Sequence, residues 1–308
     1  MPAAAPPGPA QAGATGGGVR QGSDPASAAG PAHVEVAGRL PATGPSRDAV
    51  RQLPGGPAAG GEVRALAAAL HLTGSPQRAG TGWRVTGPGT LQVSGGPGLR
   101  WSYRGAPGQP CGGPLEGYAA PGRHGPAPIA LTALTCPQPL RPAMGWSAAG
   151  GPPSPGTAES AAARVLEATG ITGSPLRASV TGDVTSVSAD PSVQGLPTAG
   201  FSTVVQVNPS GGVTAASGWL SHPAGGAAYP LVSAGQAAQA LRAAARPASG
   251  GSAPVLQVTG ASYGLALAYD GTGPAARPVL VPAWLLHVAG SAEPVPAVAV
   301  SPRYLAAR

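Results

Sequence analysis

Lysine is missing altogether from these 308 residues and asparagine occurs once, at Asn208, so all 18 basic side chains are arginines. Carboxylates are scarce too, 11 in all, and the net charge of +7 and the pI of 10.2 follow from that imbalance. An excess of Ala, Gly, Pro and Arg with no Lys is what very GC-rich coding produces, so the pI is weak evidence for nucleic acid. A nucleic-acid footprint gathers its arginines on one element among aromatics. Arg39, Arg64, Arg104, Arg164, Arg242 and Arg277 instead fall one or two to a segment, and no nucleic-acid partner is expected. Large apolar side chains are also few. Leu, Val, Ile and Phe number 52, about 17% of the chain, where an ordinary globular domain has more than about 20%. No apolar run reaches the roughly 18 residues of a membrane-spanning helix.

Glycine and proline take their place. Together they make 89 residues, about 29% of the chain, a share typical of low-complexity or linker-rich sequence. The modest charge argues against a wholly unfolded polyelectrolyte. The expected organisation is a disordered tether over 1–32, a first α+β unit over 33–103, and a Pro/Gly-rich linker over 104–156. Second and third units over 157–308 form the main folded domain. Both cysteines, Cys111 and Cys136, fall in the linker. Without CxxC spacing, and with only His124 between them, they make a poor zinc site, and no metal or cofactor is expected. A Cys111–Cys136 disulfide would add about 3–4 kcal/mol in the chain-entropy model and points to an oxidising compartment; two unpaired thiols in a loop are the alternative. Residues 1–32 contain no basic stretch leading into an apolar one, so no signal peptide is readable as written. The expectation is a cell-envelope or secreted protein if a signal lies upstream of this start, and a cytoplasmic one otherwise.

An internal repeat organises the rest. Residues 70–78 read LHLTGSPQR and 169–177 read TGITGSPLR, so [LI]-T-G-S-P-x-R recurs at an offset of 99 positions. Each copy follows an Ala-rich helical stretch, Glu62–His71 and Thr157–Thr169, the second with Glu159 in its first turn to suit the helix dipole. Gly74 and Gly173 are expected at positive φ, and Pro76 and Pro175 stop the helices. Alternating patterns follow over Gly82–Thr86, Thr90–Ser94 and Leu99–Tyr103, and over Ser179–Ala189, Phe201–Val207 and Val213–Leu220. A third helix over Ser233–Ala245 precedes strands at Val255–Thr259, Tyr263–Tyr269, Val279–His287 and Ala297–Val300.

The stretch Ala189–Leu231, with its GLPTAGF turn, VNPSGG turn and YPLVSA helix start, and the later PVLVPAWLL strand, resembles a group of secreted or membrane-anchored, lipoprotein-like proteins of high-GC Gram-positive bacteria. Helix-plus-hairpin units ending in a VPAW-type strand look like the tandem PepSY-like units of extracytoplasmic regulators. The resemblance implies an α+β fold of tandem helix plus antiparallel-hairpin units. It also implies a non-enzymatic, envelope-associated interaction or regulatory module whose partner is an envelope protein or cell-wall polymer.

The catalytic alternative is a serine hydrolase. Gly260-Ala261-Ser262-Tyr263-Gly264 fits G-x-S-x-G, and Asp270 and His287 follow in hydrolase order. An elbow needs a helix directly after the serine, whereas LALAYDG alternates like a strand, so the motif reads as a bulge or tight turn between strands. Trp219, Tyr229, Tyr263 and Trp284 crowd the C-terminal half. Core packing is their first reading, and a groove holding an extended peptide or glycan is the functional one.

Overall fold

The structure is a computed structural model and describes residues 19–21, 33–105, 151–244, 255–270 and 276–304. In chain order the first half holds β1 (Val19–Gln21), β2 (His33–Val36), β3 (Arg47–Ala49), β4 (Arg51–Gln52), α1 (Gly60–Ala69), β5 (Gln77–Ala79), β6 (Gly82–Thr86), β7 (Gly89–Val93) and β8 (Arg100–Gly105). The second half holds α2 (Pro155–Ala168), β9 (Leu176–Thr181), β10 (Val184–Ala189), β11 (Thr198–Ala199), β12 (Thr203–Val207), β13 (Val213–Trp219) and β14 (Ala228–Pro230). After it come α3 (Ala234–Ala244), β15 (Val255–Asp270), β16 (Arg277–Val288) and β17 (Val295–Val298). Cys111 and Cys136 lie outside the described residues.

The expected α+β chain of tandem PepSY-like helix-hairpin units is overturned. Among the described residues the fold is mostly β, 44% strand against 17% helix, with three helices and large antiparallel sheets. Two physical reasons account for the error. The strands after the first two helices join edge to edge through β8 and β13 into one eight-stranded sheet, ordered β5-β6-β7-β8-β13-β12-β10-β9. And the apparent break at Gly260–Gly264 does not end a strand: β15 absorbs it with a bulge between Val258 and Gly260 and runs for 16 residues.

The repeat survives as local chemistry. In both copies the helix ends with the paired backbone bonds of a Schellman stop: Leu72 and His71 donate to Ala67 and Ala68, and Ile171 and Gly170 to Leu166 and Glu167. The left-handed residue of this stop is His71 (φ 55°) in the first copy and Gly170 (φ 78°) in the second. Within TGSP only Gly173 (φ 68°) has the expected positive φ. Gly74 is required for another reason: a Cβ there would stand 1.9 Å from the Thr86 carbonyl oxygen. α2 begins before the expected Thr157, with Pro155 in its first turn and Ser154 Oγ accepting from the Thr157 N–H at 3.3 Å. Glu159 consequently lies beyond the first turn, and the dipole argument for it fails.

α1 and α2 cover one face of the eight-stranded sheet. Val63, Leu66, Ala162 and Val165 meet Val85, Leu91, Trp101, Tyr103, Val187 and Val205 in the largest core cluster. A second sheet is built around the β15–β16 hairpin. β2, β11 and β1 string along the outer edge of β15, and β4 and β17 along that of β16. β11 belongs to the connection between β10 and β12, so the GLPTAG turn carries a strand from one sheet into the other, and Leu265 N–H donates to the Pro197 carbonyl at 2.9 Å. Leu53, Val193, Phe201, Trp219, Leu265 and Leu280 pack where the two sheets meet. No helix among the described residues is long and apolar enough to cross a membrane.

Candidate functional site

Alternation along β6, β7 and β8 sends Val85, Leu91, Val93, Trp101 and Tyr103 under the helices. The intervening residues emerge on the opposite face. Register places Arg84 beside Gln92 and Gln92 beside Ser102, and in the next row Thr86 beside Thr90 and Thr90 beside Arg104. Arg84, Thr86 and Gln92 are exposed, and Thr90, Ser102 and Arg104 half-buried. No carboxylate occurs between Glu62 and Glu116, and neither Arg84 nor Arg104 has an ion-pair partner among the described residues. On the neighbouring strand Ser217 stands opposite Ser102. It is only 2% exposed, and its hydroxyl has no hydrogen-bond partner. Leaving aside the buried Ser217, Arg84, Thr86, Thr90, Gln92, Ser102 and Arg104 make this half-sheet a basic surface bearing hydroxyls, with no carboxylate on either guanidinium among the described residues, suited chemically to an anionic, hydroxylated ligand.

The arginine of the repeat motif does different work in its two copies. Arg78 precedes by one residue the hairpin-closing pair Ala79 and Gly82, whereas Arg177 precedes by four the equivalent pair Thr181 and Val184. The difference is odd, and side chains in a strand alternate, so the two arginines emerge on opposite faces of the sheet. Arg78 lies over the Trp83 ring at 3.9 Å on the helix side. Arg177 is paired with Asp190, which also accepts from Ser202, and stands 3.5 Å from Glu293 in the β16–β17 connection. Asp190 is thus a carboxylate held in an ion pair, and Asp183 belongs to the β9–β10 turn.

The sequence-predicted aromatics do not form one groove. Trp219 is 4% exposed, packs on Phe201 at 5.6 Å and lies under the Arg100 guanidinium at 4.7 Å. Trp284 is 3% exposed, and its indole N–H donates to the Val232 carbonyl at 3.0 Å. Tyr263 lies opposite Trp284 on the adjacent strand with the rings edge to face at 5.5 Å. Tyr229 pairs opposite Asp48 in the β14–β3 ribbon, and the Asp48 carboxylate accepts the Tyr263 hydroxyl. Tyr229 and Tyr263 therefore meet at β3, Trp284 packs on Tyr263, and Trp219 stands apart.

That carboxylate is the centre of a polar network invisible in the sequence pattern. Its Oδ1 accepts from the Ala49 N–H at 2.7 Å and from Arg51 at 3.2 Å. Arg51, itself buried, donates further to the Ala49 carbonyl at 2.6 Å and to Gln194 at 3.2 Å. Burial works to raise the Asp48 pKa, but the Tyr263, Ala49 and Arg51 donors outweigh it and hold the group below its ordinary value. Burial first, and Asp48 second, push the Tyr263 hydroxyl far above the ordinary tyrosine range. With both carboxylate oxygens engaged, and Arg51 reaching Gln194, the network is a clasp between β3, β15 and the 191–197 turn. Nothing short of solving the tertiary pairing would have found it, because Asp48, Arg51 and Gln194 share no motif.

Ser262 lies in mid-strand opposite Leu285, and Asp270 and His287 pair with Arg277 and Gly260. Ser262 and Asp270 stand at different heights of one hairpin, and no helix follows the serine, so the hydrolase elbow is not formed. The arginines that a nucleic-acid binder would need on one face lie apart: Arg64 is on α1, Arg104 is on the sheet face away from the helices, and Arg242 on α3 donates to the Val34 carbonyl. Among the described residues no group of three or more His, Cys, Asp or Glu is placed to hold a metal ion. Compared with protein-family models, with curated proteins and with solved structures, the chain finds no match in any of the three.

Proposed function

We propose that this chain is a non-enzymatic interaction module of the cell envelope, acting outside the cytoplasm, and that the basic half-sheet is its binding face for an anionic cell-wall polymer. The observation that carries the reading is the placement of Arg84 and Arg104 on one sheet face among Thr86, Thr90, Gln92 and Ser102, with no carboxylate nearby in sequence to neutralise them. Two strand spacings of about 4.8 Å separate β6 from β8, so an extended polyanion can meet both guanidinium groups while the hydroxyls and the amide bond its sugar or glycerol oxygens. The extracytoplasmic setting rests on the likeness of the GLPTAGF, YPLVSA and VPAW segments to secreted and anchored proteins of high-GC Gram-positive bacteria.

The test is binding of the purified chain to a phosphate-bearing wall polymer, to a neutral glycan of similar length and to duplex DNA, at two salt concentrations. Preferential, salt-sensitive binding to the wall polymer is expected. The double substitution Arg84→Gln with Arg104→Gln should weaken it about tenfold or more, equivalent to about 1.4 kcal/mol, without changing the thermal midpoint. Equal retention of the double variant would overturn the assignment of this face. Tighter binding to DNA would overturn the choice of partner.

A further inference from the structure

The eight-stranded sheet has two outer edges, and the repeat makes them equivalent in origin but not in form. β5, at one end, is three residues long and exposed, bracketed by Pro76 and by Gly80 at φ 58°. It is short and polar, as a protected edge should be. β9, at the other end, is six residues long, Leu176-Arg177-Ala178-Ser179-Val180-Thr181, with no proline or glycine inside it. Among the described residues nothing pairs with its outer side. Leu176 and Val180 are 36% and 52% exposed, two of the five exposed large apolar side chains among the described residues.

Hairpin geometry shows which backbone groups face outward. Thr181 and Val184 flank the two-residue turn Gly182-Asp183, with Gly182 at φ 59°, and so form the closing hydrogen-bonded pair. In an antiparallel ladder bonded and non-bonded pairs alternate. Thr181, Ser179 and Arg177 therefore direct their N–H and C=O groups at β10, and Val180, Ala178 and Leu176 direct theirs away from the sheet. The same three residues carry the apolar side chains of the strand, all on the helix-side face.

The strand is complementary to itself. Laid antiparallel across a two-fold axis through Ala178, one copy sets Leu176 opposite Val180 of a second copy, Ala178 opposite Ala178, and Arg177 opposite Ser179. Every outward N–H then meets an outward carbonyl, the apolar side chains share one face and the polar ones the other. Charge permits the approach: the one charged residue of the strand, Arg177, is neutralised by Asp190 and Glu293 of its own chain, so no unpaired like charges are brought together. We infer that β9 is a homodimerisation edge, at which two copies of this chain pair antiparallel through Leu176, Ala178 and Val180 to continue one sheet across an isologous interface. The occupant is a second copy rather than an unrelated peptide because a single register satisfies backbone, side-chain face and charge at once.

Sedimentation velocity of the full chain tests this, over about a hundredfold range of concentration, because mass action shifts a weak dimer across such a range. A concentration-dependent dimer is expected. Ala178→Pro removes an outward N–H while leaving the β9–β10 bonds in place, since proline is tolerated on an edge at a position that does not donate inward; it should lower the association constant at least about tenfold, a change of one decade. Val180→Lys, at the most exposed apolar position, should act in the same direction and guards against a folding defect in the proline variant. Both variants should keep the circular dichroism spectrum of the parent. A parent that stays monomeric at every concentration overturns the inference, and so does a dimer that both variants leave unchanged. Binding of the wall polymer should be unaffected by either variant, because Arg84 and Arg104 lie at the opposite half of the sheet, so this inference can fail without the proposed function failing with it.

Discussion

The Tyr263 hydroxyl donates to Oδ2 of Asp48 at 2.6 Å although the two residues stand 215 positions apart. This bond joins the long β15–β16 hairpin to the short β3–β14 ribbon, and Arg51 extends it to Gln194 in the turn that bears β11. Hydrogen bonds to a charged group contribute about 1.5–3 kcal/mol, and Tyr263→Phe should lower stability by that much. Arg51→Ala should cost more, about 3 kcal/mol, because it removes the cation from a partly buried carboxylate. Urea denaturation of both variants checks this; unchanged midpoints would show that the network does not hold the two β elements together.

The same network gives stability a pH dependence. The folded Asp48 pKa lies below its ordinary value, so the native state binds this proton more weakly than the unfolded chain. The contribution is therefore complete above the unfolded pKa of about 3.9 and is lost as pH falls through the lower folded value. Asp48→Asn should be less stable than the parent at neutral pH, with the gap closing below about pH 4. Urea midpoints at several pH values measure it; a gap that persists into acid would mean that the carboxylate charge is not what the network uses.

Much of the local structure was legible in the sequence. β6 occupies the expected residues Gly82–Thr86, and the three helices lie within two residues of their expected starts. What misled was joining. Glycines in Gly260–Gly264 suggest an interruption, but Gly264 is where the Pro197 carbonyl approaches, 2.5 Å from where a Cβ would stand, so it marks close backbone contact inside a strand. Ser179–Ala189 reads as one alternating segment, yet Gly182-Asp183 folds it into β9 and β10. The strands β3, β4, β11 and β14 are two or three residues long and exist only through their partners. The basic half-sheet was missed because its arginines are two strands apart and become neighbours only through register.

The Schellman stop of α1 places His71 at φ 55°, where the second copy of the repeat has Gly170. A side chain in the left-handed region is strained, and glycine relieves it. His71→Gly should stabilise the protein by about 0.5–1 kcal/mol, less what is lost from its 3.4 Å contact with Arg164. Gly170→Ala should destabilise by about 1–2 kcal/mol. Thermal melts of the two variants should shift in opposite directions; a shared direction would mean that the two stops are not equivalent.

Divergence of the motif arginines predicts unequal costs. Arg177 is 23% exposed, and its partner Asp190 12%, so removing it strands a mostly buried carboxylate. Arg177→Ala should cost about 1–2 kcal/mol, between the surface and buried limits. Arg78 makes only an exposed stacking contact with Trp83, and Arg78→Ala should cost no more than about 0.5–1 kcal/mol. Equal losses would show that the face on which the arginine emerges does not matter.

The two TGSP glycines separate two reasons for having no side chain at a turn. Gly173 has φ 68° and open space where a Cβ would go, so Gly173→Ala meets only backbone strain and should cost about 1–2 kcal/mol. Gly74 lies outside the left-handed region, but its Cβ would sit 1.9 Å from the Thr86 carbonyl oxygen and 3.0 Å from the Thr86 carbonyl carbon. Backbone cannot swing aside as a flexible side chain can, so Gly74→Ala must push the end of β6 away from the turn and loosen its pairing with β7 at Thr86 and Thr90. The loss should reach about 3 kcal/mol, the upper end of overpacking costs. Hydrogen exchange distinguishes the cases: Gly74→Ala should unprotect amides of β6 and β7, whereas Gly173→Ala should lower protection evenly through global stability. Equal and uniform effects from both would show that the Thr86 contact does not act locally on β6 and β7.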